Sequence, residues 1–138
     1  MADLNEFNRR IIEEFRSNGG KVGGPFAGAP MILITHKGAK SGRTYTTPLV
    51  YTRDGDGFVI VASKAGAPDN PDWYHNLIAN PVVTVEIGTE KFQARAHATS
   101  GDERERLFEA QAKIMPQFNE YKRKTTRQIP VLVLERIG

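Results

Sequence analysis

The chain contains no cysteine and no long apolar run. The absence of thiols excludes disulfides, thiolate metal sites and a cysteine nucleophile. No stretch approaches the roughly 18 apolar residues of a membrane-spanning helix, and residues 1–10 lack the apolar core of a secretion signal. These absences predict a cytoplasmic protein.

The excess of one charge sign is small, because 19 Lys and Arg stand against 16 Asp and Glu, for a net charge of +3. This balance indicates an anionic ligand, such as a nucleic acid, an acidic membrane surface or a phosphorylated cofactor. Glycine and proline are too few, at 13 and 8 of 138 residues, for a linker-like or collagen-like chain. With 39% hydrophobic residues, the sequence predicts one ordinary folded domain.

Residues 1–29 predict an amphipathic helix and a glycine-rich connector. The helix is expected over about residues 4–17, behind a capping box at residues 3–6. The mixed charges of its polar face are typical of a helix that is solvated or docked, with peripheral contact to a membrane as the alternative. The glycines that follow predict that the helix moves relative to the rest. The apolar positions with helical spacing are Leu4, Phe7, Ile11, Ile12 and Phe15.

Residues 30–138 form a second region, which is rich in β-forming runs. The residues from Asp54 to Gly57 are all turn-forming, and they predict a hairpin between the β-forming runs at residues 45–52 and 58–62. Pro48 cannot donate a ladder hydrogen bond, so it is expected at a sheet edge, at a bulge or beside a ligand. The six predicted strands cover residues 31–35, 45–52, 58–62, 82–87, 91–98 and 130–135.

Helical segments interrupt these strands. Asn70 and Pro71 are expected to cap and open a short helix of two turns. A capping box from Ser100 opens a second helix that Pro116 ends, and a further short helix or ordered loop follows over residues 117–126. The whole pattern predicts a mainly β (α+β) fold, an antiparallel barrel of about six strands with helical insertions.

The loop of residues 36–43 carries two glycines, a hydroxyl and three cations between two strands. Glycine lets backbone N–H groups turn toward an oxyanion, and Lys and Arg add charge and fork geometry. The leading glycine of a P-loop is missing and a strand follows instead of a helix, which excludes that motif. The loop predicts a site for a phosphate or a similar anion, with a solvated basic turn as the alternative.

A second candidate segment, residues 62–66, joins a strand end to small residues and one cation, Lys64. Small residues allow a planar ligand to approach the backbone, and the helix N-terminus near Asp72 adds a dipole that favours an anion. The alternative is that Trp73 is a core residue and Lys64 is solvated.

Metal and acyl-transfer chemistry find little support. The histidines, at positions 36, 75 and 97, lack metal-ligand spacing, so no metal is predicted. Ser41 and Ser63 lack a neighbouring base that would activate either hydroxyl.

Five sequence blocks follow one another in a specific order, at residues 38–43, 47–49, 62–66, 70–81 and 127–130. Taken in order, they resemble the deazaflavin-dependent nitroreductase family of actinobacteria, and the match spans about residues 32–134. The resemblance implies a split β-barrel of the FMN-binding type, and it implies that the chain binds the deazaflavin coenzyme F420 rather than FMN.

The resemblance and the loop chemistry together assign a set of cofactor-binding residues. In the family, the loop around Lys40 lies near the phosphate and oligoglutamate tail of the coenzyme, and Lys64 approaches the same region. Thr47 and Pro48 match positions that line the cofactor groove, and the segment from Ala62 matches backbone and hydroxyl contacts to the deazaflavin. The full set is Lys40, Ser41, Arg43, Thr47, Pro48, Ala62, Ser63, Lys64, Asp72, Trp73, Tyr74 and Asn76.

The resemblance also assigns Phe118 and Tyr121 to the substrate pocket. Both fall in the C-terminal helix that, in the family, brings aromatic residues over the hydride-transferring face. The phenol of Tyr121 is expected to hydrogen-bond a nitro or carbonyl oxygen as charge develops, or to pass a proton. Tyr121 is therefore the predicted catalytic residue.

The sequence thus predicts an oxidoreductase that transfers a hydride from reduced F420 to a small electron-poor acceptor, such as a quinone, an enone, a lactone or a nitroaromatic. An FMN-binding split-barrel reductase and a non-catalytic F420 carrier remain alternatives. Binding of single-stranded nucleic acid through Lys37, Lys40, Arg43 and residues 122–124 is disfavoured, because it needs exposed stacking aromatics on the strands. A monomer and a homodimer are both open.

Overall fold

The computed structural model describes residues 2–23, 28–66 and 69–138. A 3₁₀ turn, Lys64–Gly66, follows the fourth strand. The helices are α1 (Ala2–Ser17), α2 (Asp72–Ala79), α3 (Gly101–Ile114) and α4 (Gln117–Lys124). The strands are β1 (Met31–Lys37), β2 (Thr44–Val50), β3 (Thr52–Asp54), β4 (Gly57–Val61), β5 (Val82–Ile87), β6 (Glu90–Ala98) and β7 (Val131–Arg136).

The strands form one antiparallel sheet whose two outermost strands are neighbours in sequence. The order is β2-β1-β5-β6-β7-β4-β3, so β2 and β3 lie at opposite edges. Only Tyr51 separates Val50, which ends β2, from Thr52, which begins β3. Two residues of extended chain span at most about 7 Å, so the two edges meet at Tyr51. The sheet therefore curls into the predicted barrel.

The barrel interior holds the main hydrophobic core. Alternate residues of the strands point into it, as Ile32 and Ile34 of β1 do, and α2 adds Trp73 and Leu77. The other large members of this cluster are Phe58, Ile60, Val83, Val85, Phe92, Leu132 and Leu134.

Helices cover the outer face of some strands and leave the outer face of others to solvent. Helices α3 and α4 pack residues such as Phe108 onto Val59 and Val131, and α1 packs Phe15 onto Leu33. Strands β1, β4 and β7 are thus buried on both faces, which explains their nearly continuous apolar sequences. In β6, buried and exposed positions alternate instead, because its outer face is solvated.

Helix α1 is fixed to the barrel at its C-terminal end. Arg16 donates hydrogen bonds to both carboxylate oxygens of Glu86 on β5, at 3.1 and 2.8 Å. Gly20 packs on Gly88 of the β5–β6 turn so closely that a Cβ would lie 2.6 Å from the Gly88 Cα. In contrast to the predicted mobility, the helix is docked. The central part of the predicted connector, residues 24–27, lies outside the described residues.

The apolar side chains of α1 that the structure describes are turned to the barrel, whereas those of Leu4 and Phe7 lie outside the described residues. Ile11 and Phe15 are buried in the cluster that also holds Met31 and Leu33. Their burial gives no support to peripheral membrane contact through this part of the helix. Within the described ranges, every helix is too short or too polar to cross a bilayer.

The predicted second strand, residues 45–52, is wrong in one respect, because it is two strands. The segment up to Val50 pairs with β1, and only β3 pairs with β4, the neighbour predicted for the whole run. The pairing partner changes at Tyr51, because β2 and β3 lie at opposite edges of the sheet. The six predicted strands therefore become seven. Pro48 lies on an edge strand, as one of the predicted options required.

Turns and helix starts differ from the predictions by one or two residues. The β3–β4 turn contains only residues 55 and 56, because the residues on either side of them are paired. The N-cap of α2 is Pro71 rather than Asn70, whose side chain instead accepts a hydrogen bond from Arg127. Helix α1 begins at residue 2, before the predicted capping box, and Ser100 is the N-cap of α3 as predicted, although its side chain makes no capping hydrogen bond.

We expect Gly20→Ala to destabilise the protein more than Gly28→Ala. Both glycines have positive φ, +94° and +79°, so each alanine would carry left-handed strain of about 1–2 kcal/mol. Only at residue 20 would the Cβ also meet backbone, since no described atom lies within 4 Å of a Cβ at residue 28. Urea unfolding should show a further loss of about 1–3 kcal/mol for Gly20→Ala. Equal losses in the two variants would contradict the close contact with Gly88.

Candidate functional site

The barrel is split next to the closure at Tyr51. Strand β3 pairs with β4 only as far as Thr52 and Val59, and β2 pairs with β1 on one side only. Among the described residues, the outer edge of β2 and the second half of β4 therefore have no ladder between them. We call residues 44–50 the β2 lip and residues 60–64 the β4 lip.

The two lips bring together residues from separate sequence blocks. If the β3–β4 register continued across the split, Pro48 would lie opposite Ser63 and Thr47 opposite Lys64. All four residues were assigned to the cofactor on the basis of the family resemblance. Their roles stay predictions, but the topology places them at one feature of the fold.

Backbone polar groups on both lips lack ladder partners. In an antiparallel pair, the N–H and C=O of one residue point to the same side, and successive residues alternate. Tyr51 donates its N–H to the Pro30 carbonyl, on the β1 side. Thr46 and Pro48 stand an odd number of positions before Tyr51, so their backbone groups point the other way, to the split. Ala62 donates toward the β7 side, so Val61 directs its groups to the split. Because Pro48 has no N–H, it presents a carbonyl alone.

The loop between β1 and β2 is tightly folded at one end of the β2 lip. The Gly38 N–H donates to the Arg43 carbonyl at 2.7 Å, and the Gly42 N–H donates to the Gly38 carbonyl at 3.2 Å. Gly42 has φ +71°, a conformation that favours glycine. The Ser41 hydroxyl accepts the Arg43 N–H at 3.1 Å and so orders the turn. The side chains of Lys40 and Arg43 are exposed.

A hydrogen-bond network anchors this loop to α2. The Ala39 N–H donates to Oδ1 of Asn76 at 2.9 Å, which sets the orientation of the amide. The Asn76 Nδ2 group then donates to Nδ1 of His36 at 3.2 Å. The imidazole therefore carries its proton on Nε2 and donates it to the Thr47 hydroxyl at 2.9 Å. One network thus joins β1, β2, the loop between them and α2.

Burial keeps His36 neutral near pH 7. Desolvation lowers the pKa of His36 to about 4, and only 4% of the residue is exposed. The described groups around the ring are uncharged, namely Asn76, Thr47 and the Tyr45 ring, whose centroid lies 6.0 Å away. Neutrality is a condition of the network, because a protonated Nδ1 could not accept the Asn76 hydrogen bond.

The β4 lip has an unusual backbone and an unusual side-chain partner. Lys64 has φ +48°, which within the described ranges is the one positive value at a residue other than glycine. Its ammonium lies 3.4 Å from Oδ1 of Asp69. Arg127 reaches the lip from beyond α4 and donates to the carbonyls of Ala62 and Ser63 at 3.1 and 2.7 Å. The lip is therefore shaped from outside the strand.

Helix α4 brings Tyr121 to the same lip. Gly66 follows the lip, and a Cβ there would lie 3.0 Å from the Tyr121 carbonyl oxygen and 2.7 Å from the Lys124 Cβ. Tyr121 is half-buried, and its ring meets the Phe118 ring edge-on, with centroids 5.2 Å apart. Phe118 is 4% exposed and lies in the core cluster under α3 and α4. Its ring supports Tyr121 from behind.

The four predicted residues of α2 differ in their surroundings. Trp73 is buried in the interior core, as the core alternative predicts, and Tyr74 packs half-buried against the same cluster. Asp72 is exposed in the first turn. The Asn76 side chain is occupied by the loop network. The helix thus supports the loop and the core more than it faces the split.

His36 and Arg127 take part in the site without having been predicted from the sequence, although each stands beside a sequence signal. His36 stands at the head of the cationic loop, and Arg127 opens one of the blocks that carry the family resemblance. Their partners lie far away in sequence, 40 positions for His36 and Asn76 and 64 positions for Arg127 and Ser63. No local pattern predicts such pairs.

We expect the free energy of unfolding to fall on acidification from about pH 6.5 to pH 4, and His36→Gln to reduce this fall. The unfolded chain binds a proton in this window that the folded chain excludes, so stability rises with pH. The lowering of the pKa from 6.5 to about 4 corresponds to roughly 3 kcal/mol over the whole window. Urea unfolding of both proteins at several pH values isolates the histidine, because the carboxylates titrate in both. An equal pH dependence would contradict the buried neutral ring.

Comparison with known proteins agrees with this geometry. A family model described as F420H(2)-dependent quinone reductase matches residues 7–136. An F420H(2)-dependent quinone reductase of Mycobacterium tuberculosis is 40% identical over 126 residues, which cover 88% of this chain and 85% of the relative.

Solved structures support the same assignment. The structure of an F420-H2 dependent reductase, FDR-A, has a TM-score of 0.71 at 38% identity and covers 77% of this chain and 94% of its own. Another, described as a domain-swapped dimer, has a TM-score of 0.73 at 35% identity and covers 96% of each chain. These findings confirm the split barrel and the resemblance to deazaflavin-dependent reductases. The chain belongs to the F420H(2)-dependent quinone reductase family.

Proposed function

We propose that the protein is a reductase that transfers a hydride from reduced F420 to a quinone-type acceptor. The observation that carries this proposal is the split itself, where the β2 lip, with Thr47 and Pro48, and the β4 lip, with Ser63 and Lys64, have no ladder between them among the described residues. Family membership supports the choice of cofactor and acceptor class. Enones, lactones and nitroaromatics are further electron-poor acceptors for the same hydride chemistry.

The two lips suit a planar ring with hydrogen-bonding groups on its edges. Thr46 and Val61 direct both an N–H and a C=O toward the split, and Pro48 directs a carbonyl. Ala62 and Ser63 are buried, and their carbonyls accept hydrogen bonds from Arg127, so in this proposal they shape the lip. When bound, the coenzyme supplies the hydride from C5 of its deazaflavin ring. The residues of the lips bind this ring and orient it.

The β1–β2 loop suits the phosphate and acidic tail of the coenzyme. Lys40 and Arg43 are exposed cations on a turn whose backbone is already ordered, so little backbone entropy is lost when an anion binds. Ser41 shapes the turn, since its hydroxyl accepts the Arg43 N–H and lies 3.2 Å from the Tyr45 hydroxyl. Lys64 would exchange its exposed partner Asp69 for the anion at a small cost, because exposed ion pairs contribute only about 0–1 kcal/mol.

Tyr121 is the residue that we propose to act on the acceptor. Its phenol would donate a hydrogen bond to a quinone oxygen as negative charge develops there, and it could pass on the proton. Phe118 keeps Tyr121 in place. On the cofactor side, Asp72 marks the N-terminus of α2, whose dipole favours an anion, and Tyr74 lies half-buried on the same helix.

The alternatives use the same surface in other ways. An FMN reductase would bind its ring in the same split, and a carrier would bind F420 without turnover. Nucleic-acid binding is further disfavoured, because Phe58 and Trp73 are buried and Tyr45 is the one large aromatic that is exposed on the described strands. Both a monomer and a homodimer fit the proposal, since both lips and Tyr121 belong to one chain.

We expect the purified protein to bind oxidised F420 and not FMN. Each cofactor is titrated in parallel and followed by fluorescence at about 50 and 200 mM salt, where F420 affinity should fall as exposed charges are screened. Binding of FMN alone would favour the FMN alternative. Binding of neither cofactor would contradict the proposal.

A charge-matched pair of variants locates the anion in this titration. Lys40→Gln should weaken F420 binding by about fivefold, as expected for one exposed ionic contact, and should reduce its salt dependence. Lys91→Gln removes the same charge from an exposed position near the start of β6. It should leave the F420 affinity and its salt dependence unchanged. Equal effects of the two variants would point to net charge rather than to the loop.

We expect Tyr121→Phe to lower kcat with a soluble naphthoquinone by about 100-fold, because one positioned donor to the developing oxyanion is lost. The affinity for F420 should stay within about twofold, since the phenol acts on the acceptor. Steady-state kinetics and the cofactor titration test this together. Full retention of kcat would remove the role, and absence of turnover in the unchanged protein would favour the carrier.

A further inference from the structure

Arg127 holds the two ends of the β4–α2 loop with one guanidinium. Its Nη1 donates to the Ala62 carbonyl at 3.1 Å and to Oδ1 of Asn70 at 2.7 Å, and its Nη2 donates to the Ser63 carbonyl at 2.7 Å. Ala62 and Ser63 precede the 3₁₀ turn, and Asn70 follows it. The guanidinium thus closes the base of the loop that carries the end of the β4 lip.

This arrangement requires the planar fork of arginine. Three oxygen acceptors from two parts of the chain converge on two nitrogens of one group, which a lysine ammonium on a flexible stem cannot match. Burial lowers the pKa of Arg127, and nearby Asp69 opposes this effect, while a guanidinium remains charged throughout the physiological range. The side chain therefore stays charged and keeps its three hydrogen-bond acceptors together.

The segment that carries Arg127 also continues from the helix that carries Tyr121. Helix α4 ends at Lys124, and the Arg127 N–H donates to the Thr125 hydroxyl at 3.2 Å. At the other side of the loop, Gly66 is in backbone contact with Tyr121. The β4 lip and α4 are therefore connected twice, once through Arg127 and once through Gly66.

We propose that Arg127 is the positioning residue that fixes the β4 lip relative to Tyr121, and hence the cofactor side of the site relative to the acceptor side. This inference rests on the proposed function. Arg127 acts through the carbonyls of Ala62 and Ser63 and through α4, and it needs no contact with the cofactor or the acceptor. Hydride transfer depends steeply on the separation and angle of the reacting groups, so a small shift of either side lowers the rate of the chemical step.

The test compares Arg127→Gln and Arg127→Lys with Arg123→Gln, which removes the same charge from an exposed position of α4. Arg127→Gln should lower kcat with a soluble naphthoquinone by about 100-fold, the loss expected for a misplacement near 1 Å. Arg127→Lys keeps the charge without the fork, so kcat should still fall by at least about tenfold, as for lost hydrogen bonds to a charged group. Arg123→Gln should stay within about twofold. The KM for the quinone should change much less than kcat in all three.

Amide hydrogen exchange of the proteins without cofactor gives a readout that does not depend on turnover. Arg127→Gln should speed exchange both in residues 62–66 and in α4, whereas Arg123→Gln should change neither. Faster exchange in the loop alone would overturn the coupling to α4. Arg127→Gln protein that is folded, binds F420 and keeps kcat within about twofold would overturn the positioning role.

The two proposals fail in different ways. If the unchanged protein neither binds F420 nor oxidises its reduced form, the proposed function fails, while the exchange comparison still decides whether Arg127 couples the lip to α4. If the unchanged protein turns over and Arg127→Lys matches it, the charge suffices and the fork has no positioning role.

Discussion

Tyr51 joins strands at opposite edges of a seven-stranded sheet, and this single-residue link sets the rest of the architecture. The sheet closes at Tyr51, where β2 ends and β3 begins. The three hydrophobic clusters, in the barrel interior, under α1 and under α3 and α4, pack on the sheet closed in this way. The ladder reaches Thr52 and Val59 and stops there. The split therefore lies directly beside the closure, and in the proposed function the backbone groups that it leaves without ladder partners bind the cofactor.

Buried neutral groups and exposed charges have different tasks around this split. The network from Ala39 through Asn76 and His36 to Thr47 contains no charged group, so it holds the loop without the desolvation cost of a buried ion. The loop cations lie outside in solvent, where an anion can reach them. On the other lip, the half-buried fork of Arg127 organises carbonyl groups, and the exposed Lys64 provides a charge. Different side chains thus order the backbone around the split and provide the exposed positive charge.

Local chemistry predicts much of this fold. The strands on either side of Gly88 and the N-cap of α3 at Ser100 follow from short patterns, and Pro48 takes one of the three positions expected for it. The break at Tyr51 does not, because residues 45–52 form one continuous β-forming run in the sequence and only the change of partner divides them. The cationic loop is similarly visible in sequence. The contributions of His36 and Arg127 depend on residues dozens of positions away, and only the closed barrel brings those residues together.

The last strand of the sequence occupies a central place in the sheet, since β7 lies between β6 and β4. During synthesis, the ladder β2-β1-β5-β6 and the β3–β4 hairpin can form before β7 emerges, but the place of β7 between β6 and β4 is then still open. The carbonyl of Pro130, directly before β7, accepts the Ala62 N–H. The β4 lip therefore also gains this hydrogen bond only when β7 is in place. A nascent chain that has not yet released β7 from the ribosome displays unpaired strand edges, which are prone to associate with other chains. A complete barrel therefore depends on β7, which pairs with β4 on one side and with β6 on the other.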